Sequence, residues 1–169
     1  RRSSDLQARL LVLDPVDGDP VEVVRMRLDR LEISGFKSFS DRSELAFDKG
    51  VTAFRTSIPA KQAWMATVKT TNYLPNVLMQ MEAQKAGLDN GVFIDEAGHV
   101  GESSNMNVAF VTHDNELVHP KFDHILSGCT SLRLLELAQQ LVKSGQLADV
   151  KVTDVTMQDT IAAKEMLLI

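Results

Sequence analysis

From residue 92 onward the chain alternates short apolar runs with turn formers. VFID (92–95) is followed by the turn EAG and by HVGES (99–103). NVAFVT (107–112) is followed by HDN and by ELVHP (116–120), and VKVTDV (150–155) stands further on. Runs this short, rich in Val, Ile and Phe and bounded by Gly, Asp and Asn, read as strands. Three stretches stand apart from these strands. In NYLPNVLMQMEAQKAG, Leu74, Val77, Leu78 and Met81 recur at i, i+3, i+4 and i+7, which predicts a helix with one apolar face. Pro75 fits its first turn and Gly87 its C′ position. SLRLLELAQQLVKSG (131–145) is a second helix, with Leu134, Leu137, Ala138, Leu141 and Val142 on one face and Gly145 as its stop. MQDTIAAKEMLL reads as a third, with Asp159 near its positive end. Pro59 opens a mixed strand that runs to Lys69. Mixed strands and helices define an α/β chain, α+β in layout.

The N-terminal third reads differently. RRSSDLQARL is either a short helix or without fixed structure. LLVLD (10–14) and VEVV (21–24) flank the turn formers PVDGDP and suggest a hairpin. Residues 26–54 read as a small antiparallel β meander: Leu28, Leu31 and Ile33, then Phe36 and Phe39 after Gly35, then Leu45 and Phe47, then Val51 after the turn Asp48-Lys49-Gly50. This meander resembles the start of an SMC (structural maintenance of chromosomes) ATPase head. Leu31 to Phe39 (LEISGFKSF) and Gly50, Val51 and Thr52 carry the likeness, and Met26 sits where such a protein begins. That family continues into a phosphate-cradling GxxxxGK[ST] loop. The chain contains no such loop, so nucleotide hydrolysis is not expected. Three parts result: an unassigned 1–25, the SMC-like 26–54, and 55–169.

Composition narrows the function classes. The chain has 169 residues, a formal net charge of −5 and 24% charged residues, so a basic nucleic-acid footprint is not expected. No apolar run approaches the roughly 20 residues that span a bilayer, so no membrane partner is expected. Cys129 is the single cysteine. It allows no internal disulfide and suits a reducing compartment, either cytoplasm or an organellar stroma. His99, His113, His119 and His124 fit no metal-ligand spacing and read as surface residues. Arg at position 1 and the apolar EMLLI at 165–169 read as cut ends of a longer protein, with the last run left uncovered.

Three features of the third part carry chemistry. Lys69 precedes Asn72-Tyr73-Leu74, Glu102 lies in GESSNMNVAFV, and Gly128-Cys129-Thr130 opens a helix. A Gly-containing turn entering a helix offers free N–H groups beside a positive dipole, and Thr130 adds a hydroxyl. Together, VKTTNYLPN (68–76), GESSNMNVAFVT (101–112) and ILSGCT (125–130) resemble the class IV pyridoxal 5'-phosphate aminotransferases of fold type IV. Within that family the likeness extends to plant-type D-amino-acid transaminases and branched-chain aminotransferase-like proteins, and aminodeoxychorismate lyases share much of the pattern.

The resemblance implies roles. Lys69 matches the lysine that forms a Schiff base with pyridoxal 5'-phosphate and later moves the substrate proton. Glu102 matches the carboxylate facing the pyridine nitrogen, which keeps the ring an electron sink. Gly128, Cys129 and Thr130 match the phosphate turn, and Leu126 the apolar residue against the ring. Ser104, Asn105 and Met106 match the loop that approaches the phosphate, and Tyr73 lies one residue short of the family's ring-hydroxyl tyrosine. Arg25, Arg27, Arg30 and Arg42 lie in no matching motif, so the family's phosphate arginine has no counterpart here. The family's later Gly-rich turn is also not in the chain. A charged hydrogen bond to phosphate contributes about 1.5–3 kcal/mol, so weakened cofactor binding is expected. The implied reaction transfers an amino group from a D- or branched-chain amino acid to a 2-oxo acid, in a homodimer. The alternative is a non-catalytic chimeric fragment with a chromosome-associated segment.

Overall fold

The structure is a computed structural model. It describes residues 51–169 throughout and, ahead of them, the backbone strands β1 (Leu6–Val12), β2 (Val23–Ile33) and β3 (Ser43–Ala46). β1 pairs antiparallel with one edge of β2, but Leu10 to Val12 face Leu28 to Met26, not VEVV, whose Val23 and Val24 pair with β4 (Val51–Arg55), and Leu6 to Leu10 are strand where a helix or no fixed structure was expected. β3 and β4 pair antiparallel with the other edge of β2, end to end. The sheet continues through β5 (Asn90–Ile94), parallel to β4, and β6 (Val100–Ser103), antiparallel to β5. A parallel pair needs a crossover. Here it is made by α1 (Ala63–Ala66) and α2 (Leu74–Lys85). β4 thus joins β2 and β5 in one sheet, across the 54/55 boundary. Of the SMC-like motif, Leu31 to Ile33 lie in β2 and Val51 and Thr52 in β4. Ser34 to Phe39 and the 48–50 turn lie outside the described residues.

A second sheet has the order β10–β7–β8–β9. Its strands are β7 (Val108–Val111), β8 (Glu116–Pro120), β9 (Asp149–Thr153) and β10 (Glu165–Leu168). β8 and β9 are parallel, and α3 (Cys129–Lys143) makes their crossover. The main core lies between the sheets: Ala53, Val92 and Val100 from the first meet Val108, Phe110 and Met166 from the second. Ala109 and Val111 point to the opposite face of β7, where Leu117, Ala138, Leu134 and Leu135 pack. A strand covered on both faces needs a continuous apolar run, and VAFV supplies it. α4 (Met157–Ala162) opens with a reciprocal cap: the Thr156 hydroxyl accepts from Asp159 N–H, and the Asp159 carboxylate accepts from Thr156 N–H. Asp159 therefore sits at the positive end expected of it.

Three further expectations are corrected. EMLL is not the end of a helix. Ala163 is extended, with φ −68° and ψ 146°, so α4 stops at Ala162. The run then pairs with β7 from Glu165–Val111 to Leu168–Val108. Its alternation puts Met166 in the main core, 2% exposed, and Ile169 exchanges both backbone hydrogen bonds with Asn107, at 3.1 and 2.9 Å. The run is therefore covered. Second, no strand runs from Pro59 to Lys69. Pro59 offers no ladder N–H, and the helix formers after it close the single turn α1. Lys69 lies in the loop that follows.

Third, α2 does not bury its apolar stripe. Leu74, Val77, Leu78 and Met81 are 40–63% exposed, whereas Asn76, Met79 and Ala83 are buried. A close approach of helix to strand decides this. Met79 lies over Gly91 of β5, and a Cβ at Gly91 would meet Met79 Sδ at 2.7 Å. The Asn76 amide also donates to the Ser104 carbonyl. Gly91→Ala is expected to lower stability by about 1–3 kcal/mol through overpacking. Urea unfolding of the variant against wild type measures this.

Candidate active site

Three segments far apart in sequence converge on one cavity of about 300 Å³, at the lower end of the ~300–1,000 Å³ usual for ligand sites. The α1–α2 loop brings Lys69, and Tyr73 stands at the N-cap of α2. The end of β6 brings Glu102, and the loop to β7 brings Ser104, Asn105 and Met106. The turn before α3 brings Leu126 and Gly128, and α3 opens with Cys129 and Thr130. All ten residues named from the sequence therefore line the same space.

Glu102 is the electrostatic centre. The residue is only 9% exposed. Its Oε2 accepts from Leu126 N–H at 3.1 Å, and Lys61 Nζ lies 3.6 Å from its Oε1. Burial raises its pKa above the usual carboxylate value. The Leu126 hydrogen bond, the Lys61 ammonium and the charge of Lys69 each pull it back down. The result is an anion that binds a proton more readily than a surface glutamate and attracts any cation entering the cavity.

The phosphate-turn residues sit at the start of α3. Gly128 is its N-cap, and no side chain caps this end. The first N–H groups of an uncapped helix remain available to an anion. Gly128 has ordinary helix-entry geometry, φ −63° and ψ 132°. Space, not conformation, demands a glycine. A Cβ would collide with Asn107 Oδ1, and the Asn107 amide donates to the Leu126 carbonyl at 2.9 Å. Cys129, the first residue of α3, is exposed.

His119 corrects another expectation. It is fully buried in β8, not on the surface. Its Nδ1 lies 2.6 Å from the Pro120 carbonyl and its Nε2 3.1 Å from Ser131 Oγ. With Nδ1–H donating to that carbonyl, Nε2 accepts from the Ser131 hydroxyl, which pins α3 to the sheet. Burial lowers the His119 pKa, in keeping with a neutral ring.

The 103–106 loop is tied to α2. Ser104 Oγ donates to Gln80 Oε1 at 3.0 Å, and Ser103 N–H donates to the Met106 carbonyl at 2.8 Å. Ser103 Oγ and Asn76 Oδ1 are buried and have no partner among the described residues. Both residues line the cavity. A buried orphan acceptor or hydroxyl costs stability until something bonds it. Lys61, Asn76, Ser103 and Asn107 went unnamed in the sequence reading. Only Asn76 had a usable signal: a polar residue that breaks the surface pattern of a helix beside the candidate tyrosine.

Fold and site define the class. The chain belongs to the amino-transferase class IV family, whose model matches residues 39–169. It is 53% identical over 121 residues to the chloroplastic D-amino-acid transaminase of Arabidopsis thaliana, a match covering 71% of this chain and 32% of that protein. The chain thus spans about a third of that relative's length. The branched-chain amino acid aminotransferase of Thermobaculum terrenum, solved in its PLP form, superposes with a TM-score of 0.64 at 24% identity, covering 87% of this chain and 52% of that one. The T.th. branched-chain amino acid aminotransferase, solved with pyridoxamine 5'-phosphate, gives 0.58 at 26% identity, covering 68% and 37%. The family match begins inside the SMC-like segment, and the chimeric alternative finds no support.

Gly128→Ala is expected to displace Asn107, break its bond to Leu126 and cost about 1–3 kcal/mol, read by denaturant unfolding. Glu102 gives a prediction with a definite sign. Its raised pKa means that the native state binds the proton more tightly than the unfolded chain. Its ionisation therefore costs stability, fully above the native pKa and not at all below about pH 4. Stability of wild type relative to Glu102→Gln should fall as pH rises out of the ordinary carboxylate range, as paired melts across pH would show.

Proposed function

We propose that this chain is the cofactor-holding part of an aminotransferase that uses pyridoxal 5'-phosphate to move an amino group between an amino acid and a 2-oxo acid. The observation that carries the reading is the convergence of Lys69, Glu102 and the uncapped start of α3 on one cavity. A primary amine, a buried carboxylate and an anion-binding helix end are the three groups such a cofactor requires. The orphan atoms of Ser103 and Asn76 mark the same space as built for a polar guest. When bound, the cofactor supplies an electron sink for charge developing at the substrate α-carbon.

The chain's residues divide the remaining work. Lys69 Nζ would hold the cofactor through its primary amine and, when free, would hold and move the proton at the substrate α-carbon. Glu102 keeps the ring nitrogen protonated. Cys129 and Thr130, with Gly128 giving the room, offer N–H groups and a hydroxyl to the phosphate. Ser104, Asn105 and Met106 would stand beside that group, Leu126 would pack against the ring, and Tyr73 is the residue offered to its hydroxyl. D-amino acids are the favoured donors, because the Arabidopsis relative carries that name at 53% identity, with branched-chain amino acids as the further class. The exposed stripe of Leu74, Val77, Leu78 and Met81 supports a homodimer. That relative's chloroplast address supports an organellar stroma.

The test is an absorbance titration with pyridoxal 5'-phosphate on wild type and Lys69→Ala. A band at roughly 410–430 nm that disappears in Lys69→Ala is expected. Identical spectra from the two proteins would overturn the reading.

A further inference from the structure

Lys61 has no part in the roles assigned so far, yet it is the cation nearest to Glu102. Its Nζ lies 3.6 Å from Glu102 Oε1, and the two side chains are only 13% and 12% exposed. Lys61 and Glu102 line two spaces at once. One is the main cavity, and the other is a small one of about 30 Å³ behind β6. The two thus stand in the wall that separates them. Glu102 Oε2 is taken by Leu126 N–H, so Oε1 is the oxygen left for Lys61.

We infer that Lys61 is a positioning residue: its ammonium holds Glu102 as a carboxylate with Oε1 in place, so that the cavity presents an anion to a docking cation. Among the described residues, every other charge around Glu102 is more distant or already engaged. Lys69 acts only through its charge, without a hydrogen bond. On the small-cavity side, Lys121 pairs with Asp154, and His99 and His124 both lie within 4 Å of Asp95. Asp123 also lines that side. A carboxylate buried in this way takes up a proton unless a cation stands against it. Protonated, Glu102 would present a hydroxyl donor where an acceptor is needed. The inference rests on the proposed function only in naming that cation as the protonated ring nitrogen of the cofactor.

The experiment uses the ligand-free chain. Glutamate labelled with ¹³C at the side-chain carboxyl is titrated by NMR, and Glu102→Gln identifies the resonance. The acid dissociation constant of Glu102 is expected to fall about tenfold in Lys61→Met and to return toward wild type in Lys61→Arg. In wild type, the Lys61 ¹⁵Nζ resonance is expected to move at the Glu102 midpoint. This second reading needs no substitution, so it decides the matter if Lys61→Met fails to fold. An unchanged constant in a folded Lys61→Met, or an Nζ resonance blind to Glu102, overturns the inference. Pyridoxal 5'-phosphate added to the same proteins separates the two readings. If Glu102 responds to Lys61 but no lysine-dependent band forms, the cofactor reading fails and the role of Lys61 stands.

Discussion

β7 is the strand on which the structure depends, because it is buried on both faces. Val108 and Phe110 fill the space between the sheets, while Ala109 and Val111 receive α3. Small residues on one side and large ones on the other fix the distance of each layer. The strand leaves the site loop at Asn107, a residue that holds β10 through its backbone and the α3 turn through its amide. A shift of β7 would therefore move the turn that faces the proposed phosphate and the loop behind Glu102 together. The site is precise because its walls hang on one rigid element.

The cavity sets its groups against ordinary solvation. A carboxylate is taken from water and balanced by one N–H and one ammonium. A helix start is left without a side-chain cap. Each feature costs stability when the protein stands alone. Glu102 and the start of α3 line the same cavity, the pattern expected where binding rather than folding sets the requirement.

The sequence made the chemistry easier to see than the packing. Lys69, Glu102 and Gly128 stand in short motifs that resemble those of a known family, and the structure brings all three to one cavity. Strands β7, β8 and β9 were equally plain, since turn formers bracket runs of four to six residues. EMLL was ambiguous because four apolar-rich residues carry no period of their own. Only the open edge of β7 makes them a strand. The face of α2 misled for a different reason. Its burial is decided by a gap at Gly91 and by a hydrogen bond from Asn76, neither of which leaves a periodic trace. Lys61 was invisible because an ion pair across 41 positions (102 − 61) shows in no local pattern. Residues 26–54 show the converse hazard. Their SMC-like motif is local, whereas the strand that closes it, β4, pairs with β5.

The position of β10 has a consequence for biosynthesis. Its partner β7 emerges from the ribosome much earlier, since the register joins Phe110 to Met166. Until that later segment is made, one edge of a strand rich in Val, Ala and Phe has no neighbour. Unpaired apolar edges recruit other chains. The interval between the two strands is thus the period in which a nascent chain most needs a chaperone, and slow translation through α3 and β9 would lengthen it.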